Sequence, residues 1–187
     1  MRILFICTGN TCRSPMAEAM LKHKTNHEVK SAGIMAADGF PASEATMEVL
    51  RDKGISLNHQ SKQVNHELME WADLILTMTA GHRDSLKHMF PERGERIFTL
   101  KEFTNPAFES IWQQLKQAYA KLEEVKLGAD TEERLFIMDK IEQLEEKISD
   151  TDISDPFGSN VSIYQKTCDE LEKHLDILVE KLENIDS

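Results

Sequence analysis

The chain has 187 residues, a hydrophobic fraction of 40%, a charged fraction of 29% and a formal net charge of −11. That length fits one compact domain, or one domain with an elaboration, and the acidity argues against a nucleic-acid-binding surface, which needs clustered Lys and Arg. Three cysteines, with Cys7 and Cys12 close together and Cys168 distant, form no framework of secreted disulfides and point to a reducing, cytoplasmic setting.

In chain order, Ile3 to Cys7 is a short continuous apolar run, the pattern of a buried strand. The N-terminus has no small-residue cleavage site after this run, so it reads as a core strand and not a signal peptide. No apolar run approaches the roughly 20 residues that span a bilayer. Ser14-Pro15 is a helix-start signal, with Ser as N-cap and Pro at the first helical position, and that helix runs to about Lys24. A second strand lies in "HEVKSAGI". A helix from Ser43 to Lys53 is stopped by Gly54. A helical segment from Glu67 to Ala72 precedes a buried strand in "DLILTM". A helix from Thr79 to Met89 ends before Pro91, and "RIFTL" is a fourth strand. A long last helix, Val161 to Glu183, carries Cys168, Leu171, Leu175, Leu178 and Leu182 on one stripe. Alternating strands and helices predict an α/β fold: a three-layer, doubly wound sheet of four parallel strands with helices on both faces. Ligands of such sheets sit at the carboxyl ends of strands.

Residues 105–152 break the alternation. Ile111, Leu115, Ala118, Leu122 and Val125 follow 4-3-4-3 spacing, and Ile137, Ile141, Leu144 and Ile148 follow 4-3-4. Gly128 as a stop and Asp130/Glu133 as a capping box separate them, so the segment reads as an inserted acidic helical hairpin within a single domain spanning 1–187. Residues 104–152 hold twelve Asp/Glu against six Lys/Arg. The hairpin is either an arm for a protein partner or self-association, or an element packed on its own domain. Trp112 lies off its apolar stripe, while Trp71 reads as a core residue.

The chemistry concentrates in "CTGNTCRSP". A loop leaving a strand and entering a helix converges its backbone N–H groups, and the helix dipole adds positive potential. A cysteine at its base meets the kind of environment that favours the thiolate of nucleophilic cysteines. Arg13 offers a planar fork for two phosphoryl oxygens. Gly9 permits close approach of a ligand, and Asn10 tolerates left-handed backbone geometry. The stretch can therefore hold a phosphoryl dianion above a thiolate, an arrangement for nucleophilic attack at phosphorus. Cys-x5-Arg alone is a weak signal; the preceding strand, the loop glycine and the helix start strengthen it. The seven histidines lack metal-ligand spacing and read as surface or capping residues.

"CTGNTCRSPMAE", with "SAG" at 31–33, "ADLILTMT" at 72–79 and the late Asp-Pro in "SDPFG", resembles the low-molecular-weight protein tyrosine phosphatase family. The resemblance covers about residues 1–103 and 153–183. It implies a metal-free, cofactor-free hydrolase. Cys7 would be the nucleophile of a phosphocysteine intermediate and Arg13 the phosphoryl ligand. Asp155 would be the acid that protonates the leaving group and then deprotonates water. Thr8, Gly9, Asn10, Thr11, Cys12, Arg13 and Ser14 would form the phosphate-binding loop, with Asn10 bracing it and Ser14 hydrogen-bonding the thiolate. It also implies a redox role for Cys12, as a reversible disulfide partner of Cys7; filling space beneath the loop is the other reading. Cys168 reads as a core residue.

Thr11, in place of a bulkier aliphatic residue, is similar to the protein-arginine phosphatase branch. So are "FTLKEF" at 98–103, "SIYQKTCDELEK" at 162–173 and Phe157-Gly158 after the Asp-Pro, where tyrosine-directed members often carry tyrosines. The implied substrate is phosphoarginine in proteins, with Thr11 and Phe157 as specificity residues. A tyrosine phosphatase with the same mechanism is the nearest rival. An arsenate reductase would need further redox cysteines. A phosphocysteine carrier, or a non-catalytic interaction protein, leaves Arg13 and Asp155 unexplained. Nucleotide-loop motifs are absent.

Overall fold

The computed structural model describes residues 1–126 and 131–186. The helix stop at Gly128 and the Asp130 half of the capping box lie outside the described residues.

Four strands, β1 (Arg2–Cys7), β2 (Glu28–Gly33), β3 (Leu74–Thr77) and β4 (Ile97–Thr99), form one all-parallel sheet in the order β2-β1-β3-β4. Alternate side chains serve opposite faces. Ile3, Phe5, Leu74 and Leu76 face a core built with α1 (Arg13–Lys24), α2 (Glu44–Asp52) and the last helix. Leu4, Ile6 and Ile75 face a second core with α3 (His66–Trp71) and α4 (Ala80–Met89). The chain crosses from one side of β1 to the other, so the topological switch lies between β1 and β3. In open sheets of this kind the crevice at the carboxyl ends of the two strands flanking the switch is where a ligand fits.

The starts of α2, α3 and α4 follow local chemistry, and that of α1 does not. Ser43, Asn65 and Thr79 each accept a hydrogen bond from the backbone N–H three residues on, capping α2, α3 and α4. Ser14 does not cap α1. The helix begins two residues earlier, at Arg13 after Cys12, and the Ser14 hydroxyl lies 2.9 Å from the Cys7 sulfur. A tertiary contact has taken the hydroxyl that the local pattern assigns to a cap. A five-residue helix, α5 (Leu100–Thr104), follows β4. Thr99 and Glu102 cap it reciprocally: the Thr99 hydroxyl accepts from the Glu102 N–H and the Glu102 carboxylate accepts from the Thr99 N–H.

The chain divides into two compact units, residues 1–104 with 152–187, and residues 105–151. The second unit is α6 (Phe108–Lys126) against α7 (Thr131–Lys147), packed through Leu115, Ala118, Ile137, Ile141 and Leu144. Tyr119 donates to Glu145 across the pair. Trp112 is 43% exposed and stacks on Phe108. In the first unit α8 (Val161–Asp186) buries its whole stripe, Cys168, Leu171, Leu175, Leu178 and Leu182. Burial pushes the Cys168 thiol up to about 11, which keeps it protonated and inert. Trp71 is only partly buried, with the Lys30 ammonium 4.1 Å above its ring. Among the described residues, no helix is long and apolar enough to cross a membrane.

Candidate active site

Cys7 ends β1 at the switch point, 3% exposed. The loop from Thr8 to Cys12 is held from outside by its carbonyls. Those of Cys7 and Thr8 accept the N–H groups of Ile34 and Met35 at 3.0 and 2.9 Å. That of Asn10 accepts from His59 Nε2 at 2.7 Å. That of Thr11 accepts the Ser43 N–H at 2.9 Å and the Thr46 hydroxyl at 3.2 Å. A trans peptide points its C=O and the next N–H in opposite directions, and no peptide bond among the described residues is cis. With these carbonyls tied to the scaffold, the N–H groups of Thr8, Gly9, Thr11 and Cys12 face the other way, forming a cradle for phosphoryl oxygens.

Asn10 is the hub. It is fully buried and adopts φ 56°, the only positive φ of a non-glycine among the described residues. Its backbone N–H donates to the Cys7 sulfur at 3.2 Å. Its side-chain amide donates to Ser31 at 2.8 Å and Ser14 at 3.0 Å, and its side-chain oxygen accepts the Lys62 N–H at 2.9 Å. Ser31 donates in turn to Glu18 at 2.6 Å. The close approach that demands glycine falls at Gly33. A Cβ there would lie 2.4 Å from the Thr8 carbonyl oxygen and 2.9 Å from the Asn10 nitrogen. At Gly9 a Cβ would meet only Thr11 Oγ1, at 3.8 Å.

Arg13 is 4% exposed. Its guanidinium donates to the Ile153 carbonyl at 3.1 Å and to Asp155 Oδ2 at 2.8 Å. Asp155 belongs to a segment tied down just before it. Asp152 accepts the Ala80 N–H at 2.7 Å, at the start of α4. The Ile153 N–H donates to the Met78 carbonyl at 2.8 Å, and Ser154 donates to Glu170 of α8 at 2.6 Å. Burial works against the charged form of Glu170, but Lys101 and Ser154 outweigh it and hold this carboxylate below its usual range. Beyond the anchors, the Asp155 side chain is 52% exposed and Phe157 is 77% exposed.

A cavity of about 210 Å³ is lined by Cys7, Thr8, Gly9, Thr11, Cys12, Arg13, Asp155 and Phe157. Each of the eight is a site residue expected from the sequence. Asn10 and Ser14 lie beneath it as supports. Cys12 touches Tyr164 at 3.3 Å and, more loosely, Ser43 at 3.7 Å. All three cysteines are free thiols in this structure.

At the site, His59 and His82 depart from the expected surface or capping role. His59 holds the Asn10 carbonyl. His82, in the first turn of α4, bridges Thr79 through Nδ1 and Thr8 through Nε2, each at 2.9 Å. Burial, then the Arg13 charge, lowers its pKa against the opposing pull of Asp152 and Asp155. Nothing in its local sequence marks it, because the contact spans 74 residues.

A parallel α/β sheet with a buried thiol under a ring of amides, an arginine fork and a carboxylate defines a cysteine-dependent phosphotransfer site. The family model for low molecular weight phosphotyrosine protein phosphatase matches residues 2–133, and the chain belongs to that family. A protein-arginine-phosphatase from Geobacillus stearothermophilus is 39% identical over 184 residues, covering 97% of this chain and 96% of the relative. One from Bacillus subtilis is 35% identical, covering 97% of each. Among solved structures, a YwlE arginine phosphatase variant with a phosphorylated active-site serine is 34% identical. It aligns with a TM-score of 0.70 over 98% of this chain and 96% of that one.

Proposed function

We propose that this chain is a protein phosphatase that hydrolyses phosphoarginine in two steps. Cys7 Sγ attacks phosphorus and the P–N bond breaks, Asp155 giving its proton to the leaving guanidine nitrogen. Asp155 then takes a proton from water, whose oxygen attacks phosphorus, and the P–S bond breaks to release phosphate and the thiolate. Arg13 and the loop amides hold the phosphoryl oxygens through both steps. The observation that carries the reading is the cavity that brings Cys7, Arg13, Asp155 and Thr11 together. The names of the two relatives support the choice of phosphoarginine. Thr11 presents a hydroxyl where a larger aliphatic residue would favour an aromatic substrate, and exposed Phe157 forms the rim. Cys12 takes the part of redox partner to Cys7, and a reducing cytoplasm would keep the pair reduced.

The test compares turnover of phosphoarginine and phosphotyrosine by the wild type, Cys7→Ser and Thr11→Ile. Cys7→Ser is expected to lose more than roughly 10³-fold in kcat; retained activity would sink the mechanism. Thr11→Ile should shift the ratio toward phosphotyrosine, and an unchanged ratio would sink the specificity assignment.

For the 105–151 unit we propose a protein-docking arm. Leu135, Phe136 and Met138 of α7 are 60%, 70% and 46% exposed, more apolar surface than a solvated hairpin needs. Its excess of acidic residues opposes a second copy and favours a partner with basic residues around an apolar face. Solution mass, measured for the full chain and for a chain with residues 107–150 replaced by a short linker, separates the two. A dimer seen only for the full chain would make the occupant a second copy.

A further inference from the structure

We propose that His82 is a positioning residue for the reaction, acting through Thr8: its imidazole links Thr79 to Thr8 and leaves the Thr8 hydroxyl hydrogen turned toward the transferred phosphoryl group. The inference rests on the reading of Cys7 as nucleophile in that cavity.

The direction of the relay follows from hydrogen accounting. The Thr79 hydroxyl oxygen already accepts the His82 backbone N–H at 3.2 Å, as the cap of α4. Its one hydrogen can be donated to His82 Nδ1, 2.9 Å away. A neutral ring that accepts at Nδ1 carries its own hydrogen on Nε2. That hydrogen is donated to Thr8 Oγ1, 2.9 Å away. Thr8 Oγ1 then accepts from His82 and its hydrogen points elsewhere. Because Thr8 lines the cavity beside Cys7 and Arg13, the hydroxyl becomes one more donor facing the phosphoryl oxygens. The opposite polarity would leave the Thr79 hydrogen to solvent instead of a protein acceptor and turn the Thr8 hydrogen away from the cavity. A protonated ring would put a hydrogen on Nδ1 and oppose the Thr79 donor; burial and the Arg13 charge work against that form. His82 itself touches no reacting atom.

The experiment is a double-mutant cycle with steady-state kinetics on phosphoarginine and on p-nitrophenyl phosphate, with thermal midpoints to check folding. His82→Ala and Thr8→Val are each expected to lower kcat about 10-fold, as expected for one lost hydrogen-bond donor in the transition state, with a smaller change in KM. The double variant should lose no more than either single one. His82→Gln, whose amide reaches the Nε2 position, should recover most of the loss; His82→Asn, which reaches only toward Thr79, should not. Losses that multiply in the double variant would overturn the relay, as would wild-type kcat in folded His82→Ala or equal deficits for Gln and Asn. Thr8→Val tests the relay independently if His82→Ala fails to fold, since unchanged kcat in Thr8→Val also overturns it. Cys7→Ser in the same assay separates the two claims: if it is active the nucleophile assignment fails, and if it is dead while the cycle is additive only the relay fails.

Discussion

The phosphate loop and the acid segment meet at Arg13 but are built on opposite plans. In the loop nearly every carbonyl is tied to the scaffold, Asn10 is fully buried, and the thiol is held from two sides by Ser14 and the Asn10 N–H. In the acid segment the ties to Met78, α4 and α8 end at Ser154, and beyond it Asp155 is held through its bond to Arg13 and Pro156 is buried. Asp155 and Phe157 stand half or more exposed. On the proposed mechanism, the difference follows from the work each part would do. An amide cradle gains strength by being fixed before charge develops. An acid that first gives a proton to a leaving group and then takes one from water must serve two partners in turn, and a partly solvated carboxylate can.

The contrast makes the loop the more fragile part. Gly33→Ala should be the most damaging change, because a methyl group 2.4 Å from a backbone oxygen must push the loop off β2. We expect a loss of at least ~100-fold in kcat/KM and a destabilisation of about 2–4 kcal/mol, read by kinetics and denaturant unfolding. A variant with wild-type values would mean the loop is not packed as tightly as described. Asp155→Asn should lower kcat by roughly 10²–10³-fold on a substrate with a poor leaving group. It should cost little stability, since the carboxylate it replaces is 52% exposed. A large fall in thermal midpoint would show that the acid segment is as structural as the loop.

His82, between the loop and the start of α4, gives a pH test. Its folded pKa lies below the ordinary 6.5. As pH falls through about 6.5 the unfolded chain gains a proton that the folded chain resists, so this contribution to stability is present above that pH and is lost below it, levelling off beneath the folded value. The thermal midpoint of the wild type should therefore drop more between pH 7.5 and 5.5 than that of His82→Gln. Equal drops would remove the histidine from the account. The smallest expected effect is Phe157→Ala. With a ring 77% exposed, it should change phosphoarginine turnover by no more than about threefold and leave stability within ~0.5 kcal/mol.

Much of the fold and site is legible in the sequence because local patterns and the site coincide. The Cys7–Ser14 stretch holds most of the cavity wall in consecutive residues, the late Asp-Pro resemblance supplies Asp155 and Phe157, and the stripe of α8 is a plain 3.6-residue period. What joins distant segments is not legible. Gly33 stands in the sequence only as part of a matching "SAG", and its steric role appears when β2 is laid beside the loop. His59 and His82 look like scattered surface histidines until the fold sets them against Asn10 and Thr8. The Thr99/Glu102 box is written in "TLKE" but reads as the tail of a strand. Ser14 looks like a cap because its local pattern is that of one, while its hydroxyl is used by a sulfur seven residues back.

The bond between Arg13 and Asp155 joins positions 142 residues apart, and that separation has a consequence during synthesis. At roughly 5–20 residues per second, Cys7 and Arg13 leave the ribosome about 7–30 s before Asp155 does. Through that interval the nascent chain holds the Cys7–Arg13 loop without the carboxylate that pairs with Arg13, and α8, which packs on α1 and brings Tyr164 to Cys12, has yet to be made. On the proposed mechanism, hydrolytic competence arrives with Asp155 and the helix that follows it, and a translation product that stops short of them would carry the thiol and the arginine without the proposed acid.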